Sequence, residues 1–186
     1  MSHDKKYPHE VALEVALFVQ AALQPFVEQI KIAGSLRRGK VEVGDVELLF
    51  IPRIELRQKD FFSSDPIDLA SETIGQMLAN GVLQKRPSET GVFSWGAKNK
   101  LAIHTASGIP VDLFSTTAEN WFVSLVIRTG SKETNLRLTT GAQRQNATLN
   151  AYGCGVTWSD GTMTPAKSEE DVFKMCGVPY LPPEKR

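Results

Sequence analysis

The chain has 186 residues with 21 basic and 21 acidic side chains, so its formal net charge is zero, and 41% of it is apolar. That length suits one domain or two small ones with an ample core. The charge balance excludes the basic excess usual in dedicated nucleic-acid binders, leaving any nucleic-acid contact to local patches. No apolar run approaches the length of a membrane span, and the opening MSHDKKYPHE lacks the apolar core of a signal peptide. Cys154 and Cys176 form no CxxC pair, and His3, His9 and His104 have no ligand spacing. The expectation is a reduced, cytoplasmic protein with no membrane partner.

Residues 9–24 read as an amphipathic helix, with Val11, Val15, Phe18 and Ala22 at helical spacing and Pro25 as its stop. Ile30 to Ala33 reads as a short strand entering a turn at Gly34-Ser35, and 45–52 as the next strand, ending at Pro52. The charged and polar stretch 53–64 reads as a surface loop. Asp65-Pro66 then opens a helix to Ala79, with Asp65 as N-cap and Pro66 at the first position. Leu101–Thr105 and Val111–Ser115 read as paired strands around a turn at Ser107-Gly108. Helices follow over 118–128 and, capped by Ser131, over 132–145. Ser168 opens a last short helix through a capping box with Asp171, and Gly177 closes it. The order is α/β up to 115 and mainly helical afterwards, which predicts an α+β fold: a mixed sheet with flanking helices over 1–116, then a small, mainly helical part over 117–186.

Gly34-Ser35-Leu36-Arg37-Arg38-Gly39, followed by Gly44-Asp45-Val46-Glu47, carries the chemistry. Side chains alternate along a strand, so Asp45 and Glu47 share a face at the start of the 45–52 strand. Paired carboxylates are costly without a positive charge between them, and hard divalent cations favour carboxylate oxygens. The turn upstream offers backbone N–H groups and arginines to a polyanion such as a nucleoside triphosphate. Asp112, amid apolar residues on a predicted strand, supplies a third carboxylate. If its strand neighbours the first, the set suits two-metal phosphoryl transfer. Each element alone also has an ordinary reading: a common turn, a solvated basic surface, an exposed strand edge.

In order along the chain, these residues resemble the family X DNA polymerases, the DNA polymerase beta-like branch of the nucleotidyltransferases. Gly34 to Glu47 is similar to the family's GS-x-RRG-x4-GD-x-[DE] pattern, and Val111-Asp112-Leu113-Phe114 to its third-carboxylate strand. Thr129-Gly130-Ser131 with Asn135 resembles its TGS-x3-N element, and Leu149 to Gly153 its LNEYG segment. Glu169 to Phe173 and Gly177 to Glu184 resemble its EED-x-F…G-x-PY-x-PPE tail. The resemblance implies a nucleotidyltransferase palm over 1–116 and a nucleotide-selecting, thumb-like part over 117–186. It implies Asp45, Glu47 and Asp112 as catalytic ligands of two Mg²⁺ ions (or Mn²⁺). It implies Gly34, Ser35, Arg38, Gly44, Thr129, Gly130 and Asn135 around the nucleotide. The implied partners are a nucleoside triphosphate and gapped or primed DNA, met by a monomer.

The sequence departs from the family at several points. The stretch before Gly34 is too short for the lyase domain and helix-hairpin-helix module of full-length members. Glu47 stands where Asp is usual, Pro110 where a basic residue precedes the third carboxylate, Ile127-Arg128 where an aromatic pair polices the sugar, and Ala151 for the LNEYG acid. A nucleotidyltransferase with another acceptor (an RNA end, a small molecule or a protein hydroxyl) and a non-catalytic nucleotide-binding module are the competing readings. Lys98, Lys100, Lys132, Arg137 and Arg144 form a candidate template track or a solvated face, and Trp95 and Trp158 read as base platforms or packing aromatics.

Overall fold

Val46, Leu48, Leu49, Phe50 and Ile51 are all buried, which covers both faces of their strand and puts it inside the sheet. The computed structural model describes residues 5–88 and 90–186, so His3 lies outside the described residues. The elements run β1 (Tyr7–Pro8), α1 (His9–Leu23), β2 (Val27–Ile32), α2 (Gly34–Arg37), β3 (Glu42–Val43), β4 (Val46–Pro52), β5 (Ile54–Gln58), β6 (Ser64–Asp68) and α3 (Leu69–Ala79). They continue with β7 (Leu83–Lys85), β8 (Asn99–His104), β9 (Ile109–Ser115), α4 (Trp121–Thr129), α5 (Lys132–Arg144), β10 (Ala147–Leu149), β11 (Gly155–Trp158), β12 (Met163–Pro165) and α6 (Glu169–Met175).

The main sheet has the order β2-β4-β9-β8-β7. Only β4 and β9 are parallel; the other neighbours are antiparallel. Leu48 and Phe50 of β4 join Val111 and Leu113 of β9 in the core shared with Ala12, Val19 and Leu23 of α1 and Ile74 of α3. The alternate residues Leu49, Ile51 and Phe114 face the other way, onto Trp121 and Leu125 of α4. Val123 and Val126 of the same helix enter a second core with Leu138, Leu149, Val156 and Phe173. The expected division at 116/117 thus falls in the connection just before the helix that packs on both sides.

Two sequence expectations are overturned. Residues 53–64 are not a surface loop: β5 and β6 form an exposed hairpin, with Leu56 opposite Pro66 and Arg57 opposite Asp65. Asp65 and Pro66 therefore lie in a strand, and α3 starts only at Leu69. Its N-cap is Asp68, whose carboxylate accepts the Ser71 N–H at 2.8 Å. Asp65 instead pairs with Lys59 across the hairpin. The β5–β6 ladder pairs backbone groups of 64–68 that the first turn of a helix starting there would leave without intrahelical partners. In the C-terminal part, β10, β11 and β12 add a three-stranded antiparallel sheet to the expected helices. The caps at Ser131 and Ser168 are present, each accepting an N–H three residues on. Asp171 reaches back to the Lys167 N–H rather than that of Ser168.

No described helix is long and apolar enough to cross a membrane.

Candidate active site

The register of β4 against β9 sets the site: Glu47 pairs with Asp112 across the parallel ladder, one step before Leu48 pairs with Leu113. Glu47, Leu49 and Ile51 share one face of β4 by alternation. The apolar members of that face lie under α4, and Glu47 and Asp112 extend the row beyond the Leu49–Phe114 pair. Asp45 immediately precedes β4. The three carboxylates sense one another. Burial first, then repulsion from Asp45 and Asp112, pushes Glu47 up to about 8, against the opposing charges of Arg128 and Arg38. Burial also pushes Asp112 up to about 6, with Arg86 opposing it and Asp45 adding to it.

Gly34 opens α2 with φ +60 and is buried. A Cβ there would stand 2.8 Å from Glu47 Cδ, so only glycine lets the turn close over that carboxylate. Ser35 and Arg38 follow on the same turn. Burial holds the Arg38 guanidinium below its usual range, with Glu47 and Asp45 pulling the other way. Its Nη1 donates to the Thr129 carbonyl, and its Nε is buried without a partner among the described residues. Arg37 Nη1 donates to Thr129 Oγ1 at 2.6 Å, and both its terminal nitrogens reach the Glu169 carboxylate. Glu169 also takes Arg186 Nη2 at 2.9 Å. The two arginines after the glycine-serine turn therefore tie α2 to the end of α4 and to α6.

Gly130 caps α4 at φ +63, and the Gly130–Ser131 peptide is cis. Asn135 donates to the Ile127 carbonyl at 2.8 Å, while its buried Oδ1 has no partner among the described residues. Gly44, half-buried, precedes Asp45. The structure thus brings Gly34, Ser35, Arg38, Thr129 and Gly130 together beside Asp45, Glu47 and Asp112. Asn135 stands one helical turn past Gly130.

Two participants escaped sequence reasoning. Arg86, just after β7, contacts Asp112 Oδ1 through Nη2 at 2.5 Å. No spacing rule links residues 86 and 112; the contact exists because β8 carries both neighbours. Arg128 stacks on Phe114 with its guanidinium carbon 3.7 Å from the ring centroid, and reaches Tyr152 Oη at 3.4 Å. Among the described residues, no three His, Cys, Asp or Glu side chains are gathered closely enough to hold a metal ion as they stand. The donor set nonetheless suits a hard cation, since mutually repelling, buried carboxylate oxygens are what Mg²⁺ neutralises.

Of the candidate template track, Lys100 drops out. It is buried and donates to the Gly96 carbonyl at 3.0 Å, and desolvation lowers its pKa despite Asp68. Trp95 packs on the main core and Trp158 on the C-terminal core, where its Nε1 donates to Thr164. Cys154 and Cys176 are free, and burial pushes the Cys176 thiol up to about 11, too high for a reactive thiolate.

Sheet order, carboxylate row and arginine-bearing turn define an α+β fold whose mixed five-stranded sheet carries the acids at the parallel β4–β9 pair. Residues 124–186 match the family model described as DNA polymerase beta thumb. Over 97% of its length the chain is 25% identical to DNA polymerase lambda of Rattus norvegicus, of which it covers 33%. Over 98% it is 25% identical to DNA polymerase/3'-5' exonuclease PolX of Bacillus subtilis (strain 168), of which it covers 29%. It therefore spans about a third of the length of these curated relatives. Its fold is similar to a crystal structure of Leishmania infantum polymerase beta in a ternary P/T complex, with a TM-score of 0.76 at 17% identity, covering 98% of this chain and 77% of that one. The chain is thus similar in sequence to DNA polymerase lambda and to PolX, and in fold to polymerase beta.

Proposed function

We propose that this chain carries a metal-dependent nucleotidyl-transfer site that adds a nucleotide from a (d)NTP to a DNA 3′-hydroxyl, as a minimal family X-type polymerase. In this reading 1–116 act as the palm and 117–186 as the thumb-like, nucleotide-selecting part. The observation that carries it is the pairing of Glu47 with Asp112, with Asp45 beside them and the Gly34–Arg38 turn tied to Thr129. Asp45, Glu47 and Asp112 would hold two Mg²⁺ or Mn²⁺ ions, which when bound supply charge neutralisation at the triphosphate and the attacking hydroxyl. The chain's own groups do the positioning on which phosphoryl transfer chiefly depends. Ser35 and the backbone of its turn hold the triphosphate. Arg38, with Nε still lacking an acceptor, has donor capacity left for a phosphate oxygen. Thr129 and Gly130 form the floor under the sugar and base, Asn135 offers an amide to the base edge, and Asp112 takes the proton of the attacking hydroxyl.

The test is extension of a labelled primer on gapped DNA with Mg²⁺ or Mn²⁺ and each dNTP or NTP, beside Asp112→Ala. Extension by wild type alone is the expected result, and the same assay reads out sugar choice. Extension by Asp112→Ala at the wild-type rate would remove the carboxylate assignment. Metal-dependent turnover without DNA would move the acceptor to an RNA end, a small molecule or a protein hydroxyl, a reading the zero net charge favours.

A further inference from the structure

The contact between Arg86 and Asp112 joins residues on opposite sides of an intervening strand. Asp112 of β9 pairs with Leu101 of β8. The Arg86 backbone N–H donates to the Leu101 carbonyl at 3.0 Å. Glu47, Asp112, Leu101 and Arg86 therefore form one row across the sheet, and the arginine arches over Leu101 to reach the carboxylate. The span is two strand spacings, about 10 Å, within the reach of an arginine. Both side chains are largely withdrawn from water, at 15% and 13% exposure, so the charge-assisted bond is little screened.

The head group has few other attachments. Nη1 makes only a long contact, 3.4 Å, to the adjoining Pro87 carbonyl, and Nε is buried without a partner among the described residues. Its main chain is pinned to β8 while its guanidinium is held chiefly by Asp112. A side chain anchored at its base and tethered by one ion pair can swing free when the ion pair is replaced. It also stands on the one carboxylate of the three that comes from β9.

We infer that Arg86 is a resident counter-charge for Asp112, and that binding of a divalent cation at this carboxylate is an exchange in which the cation displaces the guanidinium. The inference rests on the metal-site reading above and makes Arg86 a positioning residue, one that acts through Asp112. It accounts for a buried aspartate in a protein without its cation: the arginine neutralises it, as an unpaired buried acid requires. The alternative is that Arg86 stays in place, orienting Asp112 while an ion takes the other oxygen, since a carboxylate offers several lone pairs.

The two differ in sign. Free Mn²⁺ is measured by electron paramagnetic resonance during titration of the 186-residue chain, without nucleotide or DNA, for wild type, Arg86→Gln, Arg86→Lys and Asp112→Asn. Glutamine removes the charge and, being shorter, the contact with Asp112, while Arg86→Lys keeps a cation of nearly the same reach. Exchange requires Arg86→Gln to bind Mn²⁺ at least about tenfold more tightly than wild type, about 1.4 kcal/mol. It requires Arg86→Lys to stay close to wild type, and the gain from Arg86→Gln to vanish on an Asp112→Asn background. Thermal melts at rising Mn²⁺ give a second readout and report whether each variant folds. Equal or weaker Mn²⁺ binding by a folded Arg86→Gln would overturn the exchange while leaving the metal site intact. Absence of Mn²⁺ binding by wild type and every variant would bring down the metal-site reading and this inference together.

Discussion

Replacing Glu169 by glutamine tests how the C-terminal helix is fastened to the rest of the chain. Glu169 accepts both terminal nitrogens of Arg37 and is ion-paired with Arg186, at 12% exposure, beside an Arg186 side chain that is fully buried. Glutamine keeps the shape but leaves two guanidiniums with no anion. Arg186 then retains only its Nε bond to the Leu181 carbonyl and its stacking on Phe173 and Tyr180. Removing one partner of a buried ion pair costs about 3–5 kcal/mol. Glutamine can still accept one hydrogen bond, which sets the expectation at about 3 kcal/mol. In a chain of this size that lowers Tm by roughly 6–12 °C. The pH dependence adds a second check. Burial alone would raise the Glu169 pKa, but the hydrogen bond and charge of Arg37, with Arg186, outweigh it and hold the carboxyl below its ordinary 4.5. The folded state therefore binds this proton less readily than the unfolded one. Its stabilisation is complete above about 4.5 and is lost as pH falls through the lowered folded value. The gap between wild type and Glu169→Gln should accordingly be full near neutral pH and narrow below about pH 4. Thermal and urea denaturation of both proteins over that range provide the assay. A Tm difference under about 2 °C at neutral pH, or one that does not shrink in acid, would refute the reasoning.

Glu47 and Asp112 carry the opposite sign, since their raised pKa values of about 8 and about 6 mean that the fold favours the protonated forms. Metal-free protein should thus lose stability, on the order of several kcal/mol, as pH rises from about 5 to 9. Mg²⁺ or Mn²⁺ should restore it most at the alkaline end; a flat profile unaffected by cation would exclude mutual repulsion at this cluster. Gly34→Ala should lower stability by about 2–4 kcal/mol, combining the left-handed backbone cost with overlap on the Glu47 carboxylate. Gly39→Ala, at φ +67 in open space, should cost only about 1–2 kcal/mol, so equal urea midpoints for the two variants would remove the contact argument. Glu169→Gln should also weaken triphosphate binding, measured by titration calorimetry, because Arg37 links Glu169 to Thr129; unchanged affinity would confine the network to stability.

Several features were legible because they are local. The Ser131 and Ser168 caps, the glycine-serine turn and the position of Asp45 and Glu47 at a strand start all follow from backbone chemistry within a few residues. The β5–β6 hairpin was misread for the converse reason. The alternation of Ile54 and Leu56 with Glu55 and Arg57 is only two apolar residues long and buries neither, and Asp65-Pro66 imitates a helix start; pairing of Leu56 with Pro66 decided the matter. Asp112 was recognisable as a candidate acid, but its place beside Glu47 depends on a parallel pairing of β4 with β9 across more than sixty residues. Arg86 was invisible, because an arginine after a short strand has no signature, and only the β7-β8-β9 ladder brings it over Leu101 to Asp112. The same holds for the pairing of Arg37, Glu169 and Arg186, which no spacing signals and which forms only where α2, α6 and the C-terminal residues meet. By itself the sequence determined the residue chemistry, the caps and turns, and the order of the segments, since short-range hydrogen bonding and side-chain alternation act within a few residues. Which acids stand together and which cation neutralises each was decided only by tertiary packing, because charge interactions depend on distance and burial in space rather than on separation along the chain.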